Sequence, residues 1–279
     1  MSLAYWFMFP IAILVATTAM ASGVEGATFF APILILLLGF PPEVAIGIGL
    51  ITEVFGFASG LYAYQRKRLI DYSLGSALLV ATIPLALVGT WLSGVIAPDA
   101  LKVILGIGLL GIAVSFLRVP ADDDILLTSE EIAVPHRSLL TAQGEIITYP
   151  LCNINQGRLF AGIGSLFMGM ISTGLGEMNG YYLLRRCRMP SNVAVATSVF
   201  VVAITALVAS AGHVLKFLQA DQDALLVVFS VVIFTVPGVI IGGQLGAIVA
   251  SRISQHILER VLAMLFVLVA LVMLGDAFL

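Results

Sequence analysis

Three carboxyl groups, Glu25, Glu53 and Glu177, lie inside otherwise apolar stretches of this 279-residue chain. Glu25 sits between glycines in Ser22-Gly23-Val24-Glu25-Gly26-Ala27-Thr28, and Glu177 follows glycines in Ser172-Thr173-Gly174-Leu175-Gly176-Glu177-Met178-Asn179. An ionisable group within a membrane segment costs about 3 kcal/mol or more and marks function by default. Burial disfavours the charged form of a carboxyl. It can therefore be neutral when an anion binds and ionised when the anion leaves, which is proton coupling in its simplest form. Proton coupling is the role expected of Glu25, Glu177 and Glu53; the alternative is a protonated glutamate that closes broken backbone by hydrogen bonding.

The same two stretches suit an anion. Half-helix N-termini present free N–H groups and a positive dipole end, and Gly23, Gly26, Gly174 and Gly176 let the backbone itself approach a ligand. Ser22, Thr28, Ser172, Thr173 and Asn179 add side-chain donors, and Thr197-Ser198 could face the same cavity from a following helix. The competing role for such hydroxyls is to cap helix ends or bond back to their own carbonyls. Cys152 and Cys187 are too few and too differently placed for a disulfide framework or a metal site, so both are expected to be free thiols. His213 is expected at a membrane interface. Gly162-Ile163-Gly164-Ser165 lacks the spacing of a membrane serine protease. No metal and no cofactor is expected.

What must position these groups is a membrane protein. Sixty per cent of the residues are apolar, a tenth are charged and the mean hydropathy is +1.11, which no water-soluble surface could carry. The partners are the lipid bilayer, a small anion and protons; the absence of a basic stripe argues against nucleic acid. Six runs are long enough to span: Pro42 to Tyr64, Tyr72 to Gly94, Ala100 to Arg118, Ser191 to Leu215, Ala224 to Ala250 and Ile257 to Leu279. Two further runs, Ala4 to Gly39 and Arg158 to Arg188, are broken at the glycines, and each second limb is too short to cross alone. Irregular backbone at membrane depth survives only where it is buried in protein or lines a cavity, and a pair of breaks in corresponding halves points to a transporter's binding site.

The halves repeat. Pro41-Pro42-Glu43-Val44-Ala45-Ile46 matches Pro190-Ser191-Asn192-Val193-Ala194-Val195, and Ile83-Pro84 with Gly89-Thr90 matches Val236-Pro237 with Gly242-Gly243. Basic residues mark the cytoplasmic side. Arg66-Lys67-Arg68, Arg118 with Arg158, Arg185-Arg186-Arg188 and Arg252 with Arg260 share one side only if each broken segment returns to the side it entered from. The expectation is an all-α polytopic membrane protein of two inverted repeats, each a broken re-entrant hairpin plus three transmembrane helices, with both termini outside. Residues 1–118 form the first repeat and 158–279 the second. Between them, 119–157 is an acidic cytoplasmic linker carrying Asp122, Asp123, Asp124, Glu130, Glu131 and Glu145, with a β-hairpin about Gln143-Gly144. Gly56 with Gly60, Gly89 with Ser93, and Gly238 with Gly242 and Gly246 have the spacing of close helix packing in lipid.

The ordered set GVEGATFFAPILILLLGFPPEVAIGIGL, YQRKRLIDYSLG, IPLALVGTWLSGVI and MPSNVAVATSV resembles the TauE/SafE (sulfite exporter) family of membrane anion transporters, through both halves and outside the acidic loop. The resemblance implies movement of sulfite, a sulfonate or a similar sulfur-containing or organic anion across the inner membrane, commonly proton-linked. The chain departs from the family where members often carry several consecutive glycines, having Val24-Glu25-Gly26 and Leu175-Gly176-Glu177 instead. Two other readings stand beside it. Gly23 to Phe30 superficially resembles the glutamate-bearing segment of undecaprenyl pyrophosphate phosphatases, although their Pro-Gly-x-Ser-Arg-Ser element is absent from the sequence. The other is a non-transporting membrane receptor or scaffold.

Overall fold

The computed structural model describes residues 3–22, 25–117, 136–220, 222–250 and 255–278. Arg118, Arg252 and the acidic run from Asp122 to Glu131 lie outside the described residues. After a 3-10 turn come ten α-helices: α1 Met8–Ser22, α2 Ala27–Leu38, α3 Pro42–Lys67, α4 Tyr72–Val95, α5 Pro98–Leu117, α6 Ile154–Ile171, α7 Leu175–Gly180, α8 Ser191–Ala220, α9 Gln222–Ala250 and α10 Gln255–Phe278. Five of them, α3, α4, α8, α9 and α10, contain stretches long and apolar enough to cross a membrane. The remaining expected span, Ala100 to Arg118, is the 20-residue α5.

Breaks fall where the sequence cannot continue a helix. Leu38 is followed by Gly39 at φ 64°, then Phe40-Pro41-Pro42 restarts the chain as α3 with proline in the first turn. α6 stops at Ser172, itself left-handed at φ 60°, and Gly174 at φ 117° occupies a region that side chains rarely enter. α7 runs directly into a π-helical stretch, Tyr181–Arg186, an irregularity common at functional sites.

Helix packing exchanges partners between the halves. α1 lies along α9, while α6 lies along α4. The backbone of α1 approaches Gly238, Gly242 and Gly246 at Phe9, Ile13 and Thr17, and Leu166 of α6 meets Gly89 of α4. The contacts Ile13 with Gly242 and Leu166 with Gly89 are related by one shift: 13 to 166 and 89 to 242 are both 153 residues. The same shift relates two buried threonine pairs, Thr52 with Thr235 at 2.7 Å and Thr82 with Thr205 at 2.8 Å. Thr82 and Thr235 each stand two residues before the proline of α4 or α9. Glycine spacing thus serves close packing, as expected.

α3 and α8 run in opposite directions. Lys216 near the end of α8 pairs with Glu43 at the start of α3 at 2.5 Å, while Leu69 and Ile70 beyond the end of α3 pack on Ala196 near the start of α8. α5 and α10 are likewise opposed, with Lys102 of α5 2.7 Å from Asp276 at the end of α10.

Between the halves, β1 His136–Leu140 and β2 Ile146–Pro150 form an antiparallel hairpin, Leu140 opposite Ile146, turning at Gly144 with φ 85°. It is docked rather than free. Asp71, buried at the N-cap of α4, accepts from the Leu74 amide, on both carboxylate oxygens from Arg137 Nη1 at 3.0 and 3.1 Å, and from the Tyr149 hydroxyl at 2.9 Å. Burial beside that carboxylate pushes the Tyr149 phenol above its ordinary range. Ala142 donates its amide to Lys67 O. On the other half, Cys152 is bonded to Cys187 as a disulfide, with Cα atoms 5.3 Å apart. This corrects the expectation of free thiols: folding brings together two cysteines that sequence separation, 35 residues, gave no reason to pair.

Candidate functional site

The two breaks meet. Thr28 of α2 and Thr173 share a hydrogen bond of 2.6 Å between their hydroxyl oxygens, both side chains buried. Glu25, 2% exposed, reaches into the other half: Oε2 accepts from the Gly174 amide at 3.1 Å and Oε1 accepts from the Gly176 amide in a very short bond. Glu177 Oε2 accepts from the same Gly174 N–H, also at 3.1 Å. Two carboxylates therefore share one donor. A Cβ on Gly176 would stand 3.0 Å from the Glu25 carboxylate, so glycine is what admits that side chain.

Glu53, on α3, closes the first break in a related way. Its Oε1 accepts from the Ala27 amide at 3.2 Å at the start of α2, and its Oε2 has no hydrogen-bond partner among the described residues. Gly26 and Glu53 border a cavity of about 40 Å³, lined also by Ala16, Ala19, Phe57 and Gly243. Through Met20 and Gly243 it adjoins a second space of about 140 Å³ reaching Lys67. Ser59, Ala63, Lys67 and Gln244 join that space to one of about 650 Å³ beside Arg66 and the hairpin turn. A line of spaces thus leads from the basic end of α3 to the Glu53 carboxyl.

Of the residues expected at an anion site, Gly26, Thr28, Thr173, Gly174 and Gly176 are brought together by the two breaks. Asn179 on α7 is fully buried, and neither of its amide atoms has a hydrogen-bond partner among the described residues. Ser22 is the last residue of α1, and Gly23 lies outside the described residues. Thr197 is elsewhere: its hydroxyl accepts from the Asp71 amide at 3.0 Å and belongs to the α3–α4 turn. Ser198 beside it is buried, without a hydrogen bond to either break among the described residues.

Two features differ from the sequence reading. The expected donors at Gly174 and Gly176 are occupied by the protein's own carboxylates, because an acceptor tethered across the gap meets them first. His213 is not interfacial. It is fully buried, with Nε2 3.1 Å from Gly169 O near the end of α6, because it lies on the face of α8 that packs against α3, α4 and α6. The threonine pairs and the Asp71 anchor were not recognised from the sequence; the paired Thr-x-Pro triplets of α4 and α9 were the available signal for the first.

Arranged this way, the backbone amides at Gly174 and Gly176 can hold a carboxylate or another oxyanion; among the described residues no metal-binding cluster of His, Cys, Asp and Glu occurs. The family model for the sulfite exporter TauE/SafE matches residues 8–273. The chain is similar to the probable membrane transporter protein YunE of Bacillus subtilis (strain 168), 22% identical over 250 residues that cover 88% of this chain and 86% of that one. No solved structure matches the chain. With the match running across both breaks and all five membrane-length helices, the chain belongs to the sulfite exporter TauE/SafE family and is a multi-pass protein of the cell membrane.

Proposed function

We propose that this protein is a proton-coupled secondary transporter of a small sulfur-containing or organic anion, such as sulfite or a sulfonate, working by alternating access around two re-entrant tips. Family membership and the named transporter relative favour a transporter over an enzyme. One observation carries the mechanism: Glu25 of one half places its carboxylate on the Gly174 and Gly176 amides of the other. Donors that hold a carboxylate suit an oxyanion of similar size once that carboxyl is protonated and withdraws. Two carboxylates on one N–H repel each other at low dielectric, which favours uptake of a proton there, and a proton on Glu25 lets that carboxyl leave the Gly174 and Gly176 amides. Glu53, at the inner end of the line of spaces from the basic side, is placed to exchange that proton with water.

The contacts support inverted repeats. α1 runs along α9 and its Met20 reaches Gly60 of α3, while α2 packs along α3 from Ala27 and Phe30 at Gly49 back towards the start of α3. Corresponding helices α3 and α8 oppose each other, as do α5 and α10. Arg66-Lys67 and Arg185-Arg186 then share the cytoplasmic side. The first of these loops touches the hairpin turn through Ala142 with Lys67, and the second meets the segment after the hairpin through Cys152 with Cys187. Cysteines introduced at Arg66 and Arg185 are expected to react with an impermeant thiol reagent only from the cytoplasmic face; reaction of position 185 from outside sinks the arrangement.

The direct test is purified protein in proteoliposomes with an imposed pH gradient. Sulfite or methanesulfonate is expected to accumulate against its concentration, and a protonophore is expected to abolish the accumulation. Absence of movement, together with phosphate release from a lipid pyrophosphate, would replace this reading with the phosphatase.

A further inference from the structure

The 153-residue shift that relates the helix contacts of the two halves also carries the small cavity under Glu53 onto the second half. Ala16, Ala19, Gly26, Phe57 and Gly243 of its lining become Gly169, Ser172, Asn179, Ser210 and Thr90. Gly60, which lines the adjoining space, becomes His213. Of the other lining residues, Met20 becomes Thr173, while Phe30, Glu53, Gly56 and Val239 become Leu183, Ala206, Ala209 and Ala86, so the corresponding positions of the second half carry five hydroxyl or amide side chains in place of the single carboxyl of the first.

The polar lining is unsatisfied. Among the described residues, the buried side-chain atoms without a partner are Thr90 Oγ1, Ser172 Oγ, both amide atoms of Asn179, Ser210 Oγ and His213 Nδ1, together with one oxygen each of Glu53 and Glu177. All five of those non-acidic residues are more than nine-tenths buried. Buried polar groups normally have partners, and an orphaned one costs free energy. Thr90, Ser172, Asn179 and Ser210 stand at the positions that the shift pairs with the lining of the first half's cavity, and His213 at the position paired with Gly60. Contacts tie the group together: a Cβ on Gly212 would lie 3.1 Å from Thr90, and His213 bonds Gly169, three residues before Ser172. Ser210, His213 and Lys216 follow at a spacing of three on one face of α8.

The chemistry is that of neutral hydrogen-bonding groups with a cation behind them. Lys216 Nζ is 3.0 Å from Thr90 O and 2.5 Å from Glu43, at the end of α8 away from the basic loops. We infer that Thr90, Ser172, Asn179, Ser210 and His213 form an oxyanion-binding chamber in the second half, closed at its far end by the Lys216–Glu43 ion pair. The chamber deepens the transporter reading and rests on it. An anion released from the amides at Gly174 and Gly176 passes to hydroxyl and amide donors, and Lys216 can exchange Glu43 for the departing anion.

Thr90→Val and Ser210→Ala test the chamber, with sulfite and methanesulfonate as probes, by calorimetric titration and thermal melting of the full chain. Both substitutions remove an unpartnered hydroxyl and leave the Thr90 carbonyl with Lys216. Each is expected to weaken sulfite binding about tenfold, the worth of one hydrogen bond to a charged ligand, while the ligand-free melting temperature stays level or rises. A lowered ligand-free melting temperature with wild-type sulfite affinity in both variants assigns the hydroxyls to structure and overturns the chamber, leaving the transporter reading in place. A wild-type protein that binds neither probe overturns both.

Discussion

Glu25→Gln and Glu177→Gln are expected to bind sulfite yet lose its proton-driven accumulation, falling to the level of passive leak. Glutamine keeps the size of the side chain and one acceptor oxygen but cannot titrate. The two positions differ in stability. Both Glu25 oxygens accept amides, from Gly174 and Gly176, so an NH2 in place of one oxygen sets donor against donor and costs about 1 to 3 kcal/mol. Glu177 uses only Oε2, its Oε1 being unpartnered, and glutamine can keep its oxygen on Gly174 with little loss. Alanine at position 25 leaves the Gly176 amide without its acceptor and the Gly174 amide with Glu177 alone, and is the more damaging change. Parallel assays of sulfite binding and gradient-driven uptake in proteoliposomes decide the matter. Wild-type uptake by both single variants and by the double variant would remove these residues as proton carriers and leave Glu53.

The largest structural effect is expected of Gly169→Val. A Cβ there lies 2.9 Å from Thr90 N and still closer to Ala86 O, so it meets backbone of α4, which cannot rotate away as a side chain could. Gly89 faces α6 with the same closeness, 3.0 Å from Met170 N. Overpacking typically costs about 1 to 3 kcal/mol where neighbours can adjust; here the whole α4–α6 contact must part, within a total stability of about 5 to 15 kcal/mol. The variant is expected to be lost from the monodisperse fraction in detergent. Gly275→Ala, with nothing within 4 Å of its Cβ in α10, is the control and is expected to keep or gain stability by up to about 1 kcal/mol through helix propensity. A monodisperse Gly169→Val with a wild-type melting temperature would mean that α4 and α6 do not pack as described.

Hydropathy alone determined that this chain belongs in a membrane, because burying so much apolar surface has no other stable outcome in water. Glycine and proline determined where helices stop: Gly39 with Pro41-Pro42 and Gly174 are conformational facts that no neighbour needs to supply. The turn at Gln143-Gly144 determined the hairpin, and the ordered motifs determined the family. Tertiary structure alone decided which polar group meets which. Most helices here are apolar on nearly every side, so periodicity does not mark the face each presents. Rotation and register instead come from backbone approaching glycine across α1–α9 and α4–α6. That packing sent Thr197 to the Asp71 corner, buried His213 against Gly169, joined Cys152 to Cys187 and laid Glu25 on the amides of the opposite half. A lone carboxylate among glycines was legible as an ionisable group at a break; that its partners are N–H groups about 150 residues away follows only from the close approach of two helix breaks, where each leaves unpaired what the other can satisfy.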